Sequence, residues 1–235
     1  DWYQGAAAGI SWLGSFSKNQ DVPNFVFSEV LYGSLKYIAE TVTHEMGHAL
    51  GLNHKGNSQV PGQSEYYQGT NGWAPIMGTA YYQELTQWSK GEYYGANSTV
   101  DELAAITANN GFGYRDDDHA DSFDGATVLA ITDAAGMISG IIERNTDIDC
   151  FVFESDGSPL SFLVGGITGL TNLDTLVKIY SEDRQLLHVD DPADRLDVEF
   201  LFTGGAGTYY ITVEGTGLET DWSGIYSDYG SLGGY

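Results

Sequence analysis

Three histidines and one glutamate near residue 50 have the types and spacing needed to hold and use a metal ion. The stretch from His44 to His54 has the form H-E-x-x-H-x-x-G-x-x-H. Because residues four apart share one face of a helix, His44 and His48 can direct both imidazoles to one ion. Glu45 lies about a quarter-turn further round the helix. Its carboxylate can reach a water on the metal and act as a general base.

The turn after this helix supplies the third ligand. Gly51 lets the chain leave by a left-handed turn, which a side chain would oppose, and this brings His54 to the metal. Three neutral nitrogen ligands leave one position of tetrahedral zinc open for water, as in catalytic sites. Soft metals are disfavoured because no Cys lies nearby. The alternative is a buried amphipathic helix, but such a helix has no use for converging His and Glu.

At this motif the chain resembles the metzincin metalloproteases, which share the extended zinc motif and a later turn carrying Met. The segment Pro75-Ile76-Met77-Gly78 fits that Met-turn. The resemblance implies that Met77 packs under the zinc ligands without binding the metal. Ordinary core filling is the alternative role for Met77, and the two interpretations nearly coincide.

The residue after the third His distinguishes metzincin families, and here it is Lys55. It differs from the acidic residue of the adamalysin, reprolysin and astacin groups, the Pro of serralysins and the Ser of matrix proteases. The resemblance therefore assigns the clan and, within it, a bacterial reprolysin-like branch.

The residues after Met77 differ between metzincin groups in a way that concerns the substrate pocket. Astacins and serralysins place a metal-approaching Tyr two positions after the Met, where this chain has Thr79. Matrix proteases have a Tyr of the S1′ pocket four positions after it, where this chain has Tyr81. We therefore expect a pocket wall formed by Gly78, Thr79, Ala80 and Tyr81. A transition-state donor role for Tyr81 is the alternative.

Charge and cysteine content limit the classes of function. The 235 residues carry a net charge of −24, with 9 Lys and Arg against 33 Asp and Glu. Nucleic-acid binding is excluded because phosphate contacts need a basic surface, whereas an acidic surface fits a secreted protein with calcium sites. The single Cys150 forms no intrachain disulfide and is expected to be a small buried hydrophobe. No apolar run is long enough to span a membrane, and no signal peptide is visible, as expected of a mature secreted bacterial product.

Hydrophobic patterning predicts the elements around the motif. Short strands are expected over Ile10 to Phe16 and Asn24 to Phe27, followed by a helix capped by Ser34 and continuing to about Leu50. The apolar stripe of this helix is Leu35, Ile38, Val42, Met46 and Ala49.

A polar, Gly-rich stretch over residues 57–73 is expected to be a loop. Further on, Thr99-Val100-Asp101-Glu102 resembles a capping box that begins a helix ending near Asn109. Leu103 and Ile106 of that helix are expected to pack beneath the active site.

The front of the chain is short for the family it resembles. Only 43 residues precede His44, whereas a metzincin catalytic domain has a five-stranded sheet and a helix before the zinc helix. We therefore expect an α+β fold with a metzincin-like domain over residues 1–115 that lacks its first strands and helix. A separate N-terminal fragment of the same domain is then a candidate partner.

The composition changes near Asp116, with 10 acidic and 5 basic residues before it and 23 acidic and 4 basic residues from it onward. Regularly spaced short strands then predict an antiparallel β-sandwich over residues 125–235. The predicted strands are Gly136 to Ile142, Ile148 to Glu154, Leu160 to Val164, Leu176 to Tyr180, Leu196 to Phe202 and Thr208 to Glu214.

This second region resembles the bacterial pre-peptidase C-terminal (PPC) domain. The resemblance is carried, in order, by Asp147 to Phe153, Asn172 to Leu176 and Gly207 to Val213. Such domains accompany secreted proteases, and relatives bind collagen or other extracellular polymers, so the resemblance implies an accessory extracellular role.

An acidic run joins the two regions over residues 116–124. One interpretation is a solvated linker, and the other is a calcium site, because hard cations need several carboxylate and carbonyl oxygens. The candidate calcium ligands are Asp116, Asp117, Asp118 and Asp121.

Together the patterns predict a secreted zinc endopeptidase that acts on a protein or peptide substrate. The substrate is expected to lie extended along an edge strand near Ile10 to Phe16, pairing through its backbone. The alternative is an inactive protease scaffold that serves as a polymer-binding or adhesion module, for which Glu45 would have no chemical use.

Overall fold

The computed structural model describes residues 5, 7–18, 21–133, 135–166, 171–218 and 226–235. Its contacts divide the chain into two units. The first comprises Asp1–Gly113 with Thr220–Tyr226, and the second comprises Tyr114–Glu219 with Ser227–Tyr235. Helices and short sheets make up the first unit, while strands dominate the second. This mixed composition agrees with the predicted α and β class.

The predicted motif-bearing helix is present as α1, Leu35–Ala49. Ser34 caps it as expected, with its hydroxyl accepting a hydrogen bond from the backbone N–H of Tyr37 at 3.4 Å.

The apolar stripe of α1 is only partly buried. Leu35, Val42 and Met46 are exposed, whereas Ala49 is buried. The buried positions of α1 are Thr41, Glu45, Gly47 and Ala49. Periodicity identifies an apolar face, but only tertiary contacts decide which face is covered.

The first strands are shorter than predicted. Strand β1, Gly9–Ile10, pairs antiparallel with β2, Phe25–Val26. The expected strand up to Phe16 was wrong because Gly14 turns the chain with φ +66° and donates its N–H to His48 O at 2.8 Å. Residues Phe16–Lys18 then form a 3₁₀ turn.

Beyond α1, the expected loop extends to Gly72, with isolated bridges at Asn57 and Thr70. Strand β3, Trp73–Pro75, then pairs in parallel with β4, Leu85–Gln87. Both short strands are fully buried, which fixes the segment that leads into Met77.

Helix α2, Glu102–Asn109, matches the predicted helix but not the predicted cap. Asp101 is the N-cap, accepting from Ala104 N at 2.8 Å, so the capping box centred on Thr99 was wrong. Glu102 instead points inward and accepts a hydrogen bond from Ser89 N at 2.7 Å. Ile106 packs with Met77 in one cluster, as expected of a helix beneath the site.

The second unit contains nine of the described strands. They are β5 Thr127–Val128, β6 Ile141–Ile142, β7 Ile148–Asp156, β8 Leu160–Val164, β9 Thr175–Ser181, β10 Leu186–Asp190, β11 Val198–Phe202, β12 Ala206–Gly215 and β13 Gly233–Gly234. The main sheet has the order β10-β9-β12-β7-β5, and two further pairs are β11-β8 and β13-β6.

One hydrophobic cluster joins the main sheet to the β11-β8 pair. It contains Phe151, Phe153, Val177, Ile179, Ile211 and Val213 from the main sheet, and Phe162, Val198 and Phe202 from the pair. Buried and less buried residues alternate along β9, and Ile211 and Val213, two positions apart on β12, both lie in the cluster, which explains why these strands were predictable. Cys150 is buried on β7, as predicted.

Three details of the second unit differ from the sequence prediction. The strand expected over Gly136 to Ile142 is limited to Ile141–Ile142. Strand β5 joins β7 in parallel, although all pairs were expected to be antiparallel. The strands β5, β10 and β13 were not predicted. The complete sandwich and the domain limits at residues 115 and 125 stay predictions.

No helix among the described residues is long and apolar enough to cross a membrane.

Candidate metal centre

The last two turns of α1 hold His44 and His48 in fixed orientations. His44 Nδ1 lies 2.8 Å from Ile76 O, and His48 Nδ1 lies 2.8 Å from Leu52 O. A carbonyl oxygen only accepts, so each Nδ1 carries the hydrogen and each Nε2 keeps a lone pair. Such a hydrogen bond selects the tautomer that binds a metal through Nε2.

The chain reverses after α1 through a closed turn that returns His54 to the helix. Gly51 N donates to His48 O and Leu52 N to Gly47 O, both at 2.9 Å, which are the two hydrogen bonds of a Schellman motif. Gly51 has φ +100°, and a β-carbon there would meet no atom within 4 Å. Gly51 is therefore favoured for its conformation, as the sequence predicted.

The three histidines converge on one point. Their ligand nitrogens all lie within 4.8 Å of one another, and the Nε2 atoms of His48 and His54 are 3.0 Å apart. Two nitrogens bound to tetrahedral zinc at the usual length lie about 3.3 Å apart. The arrangement of the three rings fits a zinc ion with one open coordination position.

Burial also supplies the protonation state that a ligand needs. It lowers the pKa of His44 to about 4 and lowers the pKa of His54. Both rings are therefore neutral near pH 7, and a neutral imidazole can bind a metal.

Two residues that the sequence did not single out surround His54. Glu65 Oε1 lies 3.4 Å from His54 Nδ1, where a carboxylate can orient the ring for metal binding. The ring of Tyr66 lies against His54 with centroids 4.1 Å apart. In the sequence, the only sign of this role was that an acidic and an aromatic residue, Glu65 and Tyr66, are adjacent in a loop.

Glu45 projects beside the histidines into the same cleft. It is buried, its Oε2 has no hydrogen-bond partner among the described residues, and burial raises its pKa to about 7. A carboxyl group that ionises near neutral pH suits proton transfer.

Strand β1 passes directly over Glu45. A β-carbon on Gly9 would lie 2.6 Å from both Cγ and Oε1 of Glu45, closer than real contacts allow. Only glycine therefore fits here, and the sequence offered no sign of this role.

Met77 lies beneath the ligands, as the resemblance implied. It is fully buried and packs with Leu52, Ile76 and Ile106. Lys55 N donates to Met77 O at 2.8 Å, so the Met-turn backbone is bound next to His54.

Lys55, the residue that departs from the known families, has a structural position that the sequence did not predict. Only 1% of it is exposed, and Nζ donates to Ser98 O at 3.2 Å and Val100 O at 2.7 Å. These bonds connect the segment after His54 to the chain before α2. Burial lowers the pKa of this ammonium group.

A cleft of about 360 Å³ opens beside the three histidines. All four expected wall residues line it: Gly78, Thr79, Ala80 and Tyr81. Thr41 donates to Tyr37 O and also lies 2.8 Å from the Tyr81 hydroxyl. Because the single Thr41 proton is used on Tyr37, Tyr81 donates to Thr41, which favours a wall role for Tyr81.

The second unit holds a separate group of carboxylates, here called the acidic cluster: Asp117, Asp118, Asp121, Glu143 and Asp147. Oxygens of Asp117, Asp121 and Asp147 lie within 4.8 Å of one another, as do those of Asp117, Asp118 and Glu143. Three of the four predicted calcium ligands thus come together. Asp116 is in neither group.

Two members of the acidic cluster were not predicted as ligands, and both are deeply buried. Glu143 and Asp147 are each 8% exposed, and no described residue other than the facing acid Asp147 interacts with the carboxyl oxygens of Glu143 at hydrogen-bonding range. Apart from Glu143, Asp147 Oδ1 likewise has no hydrogen-bond partner among the described residues. Burial raises the pKa of Glu143 to about 7, which reflects the cost of ionising it without a cation.

Comparison with known proteins supports the interpretation of the three-histidine site as a metal centre. Residues 3–89 match the family model Reprolysin_5, described as metallo-peptidase family M12. Serralysin C of Dickeya chrysanthemi is 30% identical over 112 residues, which cover 43% of this chain and 20% of the relative. The chain thus spans about a fifth of that relative's length. Both matches support a metalloprotease of the metzincin type.

Proposed function

We propose that this chain is a zinc-dependent endopeptidase that uses Glu45 as its general base. The observation that carries the proposal is the convergence of three imidazoles within 4.8 Å beside a buried carboxyl group in an open cleft. A structural zinc site would be closed by a fourth protein ligand. Among the described residues, no other His, Cys, Asp or Glu joins this group.

Each residue has a distinct task in this proposal. His44, His48 and His54 hold the zinc ion, which when bound supplies a Lewis acid that polarises the scissile carbonyl and acidifies water. Glu45 accepts the proton of the attacking water and passes it to the leaving amine. Met77 supports the ligands from below without touching the substrate.

The substrate is proposed to lie extended beside β1. Gly9 and Ile10 both line the cleft, so this strand lies next to Glu45 and the histidines. An extended peptide there can form backbone hydrogen bonds, which bind without regard to sequence. The earlier expectation of a longer edge reaching Phe16 does not hold, because β1 ends at Ile10.

The general-base assignment is tested by Glu45→Gln in the full chain loaded with zinc. We expect unchanged zinc content and loss of nearly all casein hydrolysis. Glu29→Gln, an exposed residue outside the cleft, is the matched control and should retain activity. Unimpaired hydrolysis by Glu45→Gln would overturn the assignment of Glu45.

The adhesion alternative is tested by the wild-type chain itself. Hydrolysis that a zinc chelator abolishes and added zinc restores supports the protease. A zinc-loaded chain that binds collagen and never cleaves casein would favour the inactive scaffold. Three further points stay predictions that rest on resemblance. They are secretion, the PPC-like accessory role of the second unit and the separate N-terminal fragment.

A second candidate function is calcium binding by the acidic cluster. Its carboxylates come from the segment after Tyr114 and from the turn before β7, and they include buried oxygens without described hydrogen-bond partners outside the cluster. Ca²⁺ prefers six to eight oxygen ligands and would offset the cost of ionising Glu143 and Asp147.

The calcium proposal is tested on metal-stripped full chain to which Ca²⁺ alone is added. Calorimetry should detect binding, and the Tm of the second unit should rise with Ca²⁺ concentration. The variants Glu143→Gln and Asp147→Asn should lose the response, whereas Asp183→Asn, an exposed control, should keep it. Equal responses of all three variants would show that the cluster binds no specific ion.

A further inference from the structure

Glu40 is an acidic residue of the cleft for which the proposed chemistry has no use. It lies on α1 one helical turn before His44 and lines the same cleft as Thr41 and Tyr81. Its side chain is only 13% exposed. A carboxylate so covered needs partners, because removing a charge from water is costly.

One oxygen of Glu40 is fully engaged and the other is not. Oε1 accepts hydrogen bonds from Lys36 Nζ at 2.9 Å and Thr86 Oγ1 at 3.0 Å. Oε2 makes no hydrogen bond with any described residue. Thr86 is itself buried, so it fixes the carboxylate against the cleft.

Apart from the zinc ion proposed at the three histidines, the described lining of the cleft offers Glu40 no cation. The described lining carries two carboxyl groups, Glu40 and Glu45, and no Lys or Arg. Lys36 lies outside the lining, with a third of its side chain exposed. The cleft therefore favours a positively charged group brought by the substrate.

We propose that this cleft receives a Lys or Arg side chain of the substrate, at the residue following the cleaved bond, and that Glu40 Oε2 binds its cation. This inference rests on the proposed peptidase function and on the pocket wall formed by Gly78 to Tyr81. An apolar side chain in the same place would cover Glu40 and leave Oε2 without a partner, which costs more than the burial gains.

Lys36 allows the direction of the effect on substrate preference to be tested. It binds the same carboxylate and so weakens its attraction for a substrate cation. Removing Lys36 should strengthen the preference for basic residues, whereas neutralising Glu40 should abolish it. If the pair were only structural, both variants would act in the same direction.

The experiment compares two fluorogenic peptides that differ only after the cleaved bond, one with Lys and one with norleucine. Norleucine keeps the length of Lys and lacks its ammonium group. The ratio of the two kcat/KM values is measured for the zinc-loaded full chain, for Glu40→Gln, for Lys36→Met and for the control Glu29→Gln.

We expect the wild-type ratio to favour Lys by about tenfold or more, as a charge-assisted hydrogen bond predicts. Glu40→Gln should bring the ratio close to one by lowering cleavage of the Lys peptide more than that of the norleucine peptide, Lys36→Met should raise the ratio severalfold, and Glu29→Gln should leave it unchanged. A wild-type ratio near one, or equal shifts in Glu40→Gln and Lys36→Met, would overturn the specificity proposal. Absence of cleavage of either peptide, and of casein, would instead overturn the peptidase function.

Discussion

Gly47 and Met77 approach so closely that a β-carbon on Gly47 would lie 2.4 Å from the sulfur of Met77. The helix that carries two of the histidines therefore rests on the Met-turn at a point where no side chain fits. A ring carbon of Trp88 lies 3.2 Å from the same β-carbon position, so an added methyl group would crowd Trp88 as well as Met77. The ligand helix and the turn are positioned by this contact.

We predict that Gly47→Ala weakens zinc binding and destabilises the first unit by about 1–3 kcal/mol, the usual range for overpacking. The added methyl group must push α1 away from Met77, which separates His44 and His48 from His54. Competition with a chromogenic chelator measures zinc affinity, and urea unfolding measures stability. Gly113→Ala, where a β-carbon meets nothing within 4 Å, is the control. Unchanged zinc affinity in Gly47→Ala would contradict the role of this contact.

Gly9 on β1 likewise has no room for a β-carbon. Here the added β-carbon meets Glu45 and Thr41, not a metal ligand. We predict that Gly9→Ala keeps zinc affinity within about twofold of wild type while kcat falls at least about tenfold, because displacing a catalytic group costs rate more than binding. Zinc titration and casein hydrolysis, measured on one preparation, separate the two effects. Loss of zinc together with activity would mean that β1 positions the ligands as well.

The parts of the site that the sequence predicted are those set by local geometry. His44, His48 and His54 lie within eleven residues, and the helical repeat and the turn at Gly51 fix their directions. Gly9 belongs to the cleft through its approach to Glu45 and Thr41, which lie more than thirty residues along the chain, so no short pattern reveals it.

The same distinction between local pattern and distant contacts explains which strands were predicted from the sequence. Long strands such as β7 and β12 were predicted because each has apolar residues two positions apart, such as Phe151 and Phe153 or Ile211 and Val213, which lie in the core. Two-residue strands such as β5 and β13 have no repeat and depend on their partners. The exposure of Leu35 and Met46 likewise depends on what lies opposite α1.

Glu102 predicts a pH dependence of stability in the first unit. It is 1% exposed, its Oε1 has no hydrogen-bond partner among the described residues, and burial raises its pKa to about 8. The folded chain thus holds this proton more tightly than the unfolded chain, where the group ionises near pH 4.5. Stability from this group is full below about pH 4.5 and declines as the pH rises toward 8.

The measurement is the free energy of unfolding in urea between pH 5 and pH 8 for wild type and Glu102→Gln. Gln keeps an oxygen for Ser89 N and cannot ionise, so the difference between the two chains should grow in favour of Gln as the pH rises. Glu84→Gln, on an exposed residue, should follow the wild type. A pH-independent difference would show that Glu102 stays ionised in the folded chain.

Tyr81 provides the last prediction, which separates a pocket wall from a transition-state donor. Its hydroxyl proton is directed to Thr41, whose own proton goes to Tyr37 O, so no proton of Tyr81 is left for the substrate. We predict that Tyr81→Phe retains kcat within about fivefold, because a lost neutral hydrogen bond costs about 1 kcal/mol. Tyr81→Ala should raise KM by opening the wall while zinc stays bound. A fall in kcat of a hundredfold in Tyr81→Phe, with zinc retained, would instead establish Tyr81 as a donor to the reacting carbonyl.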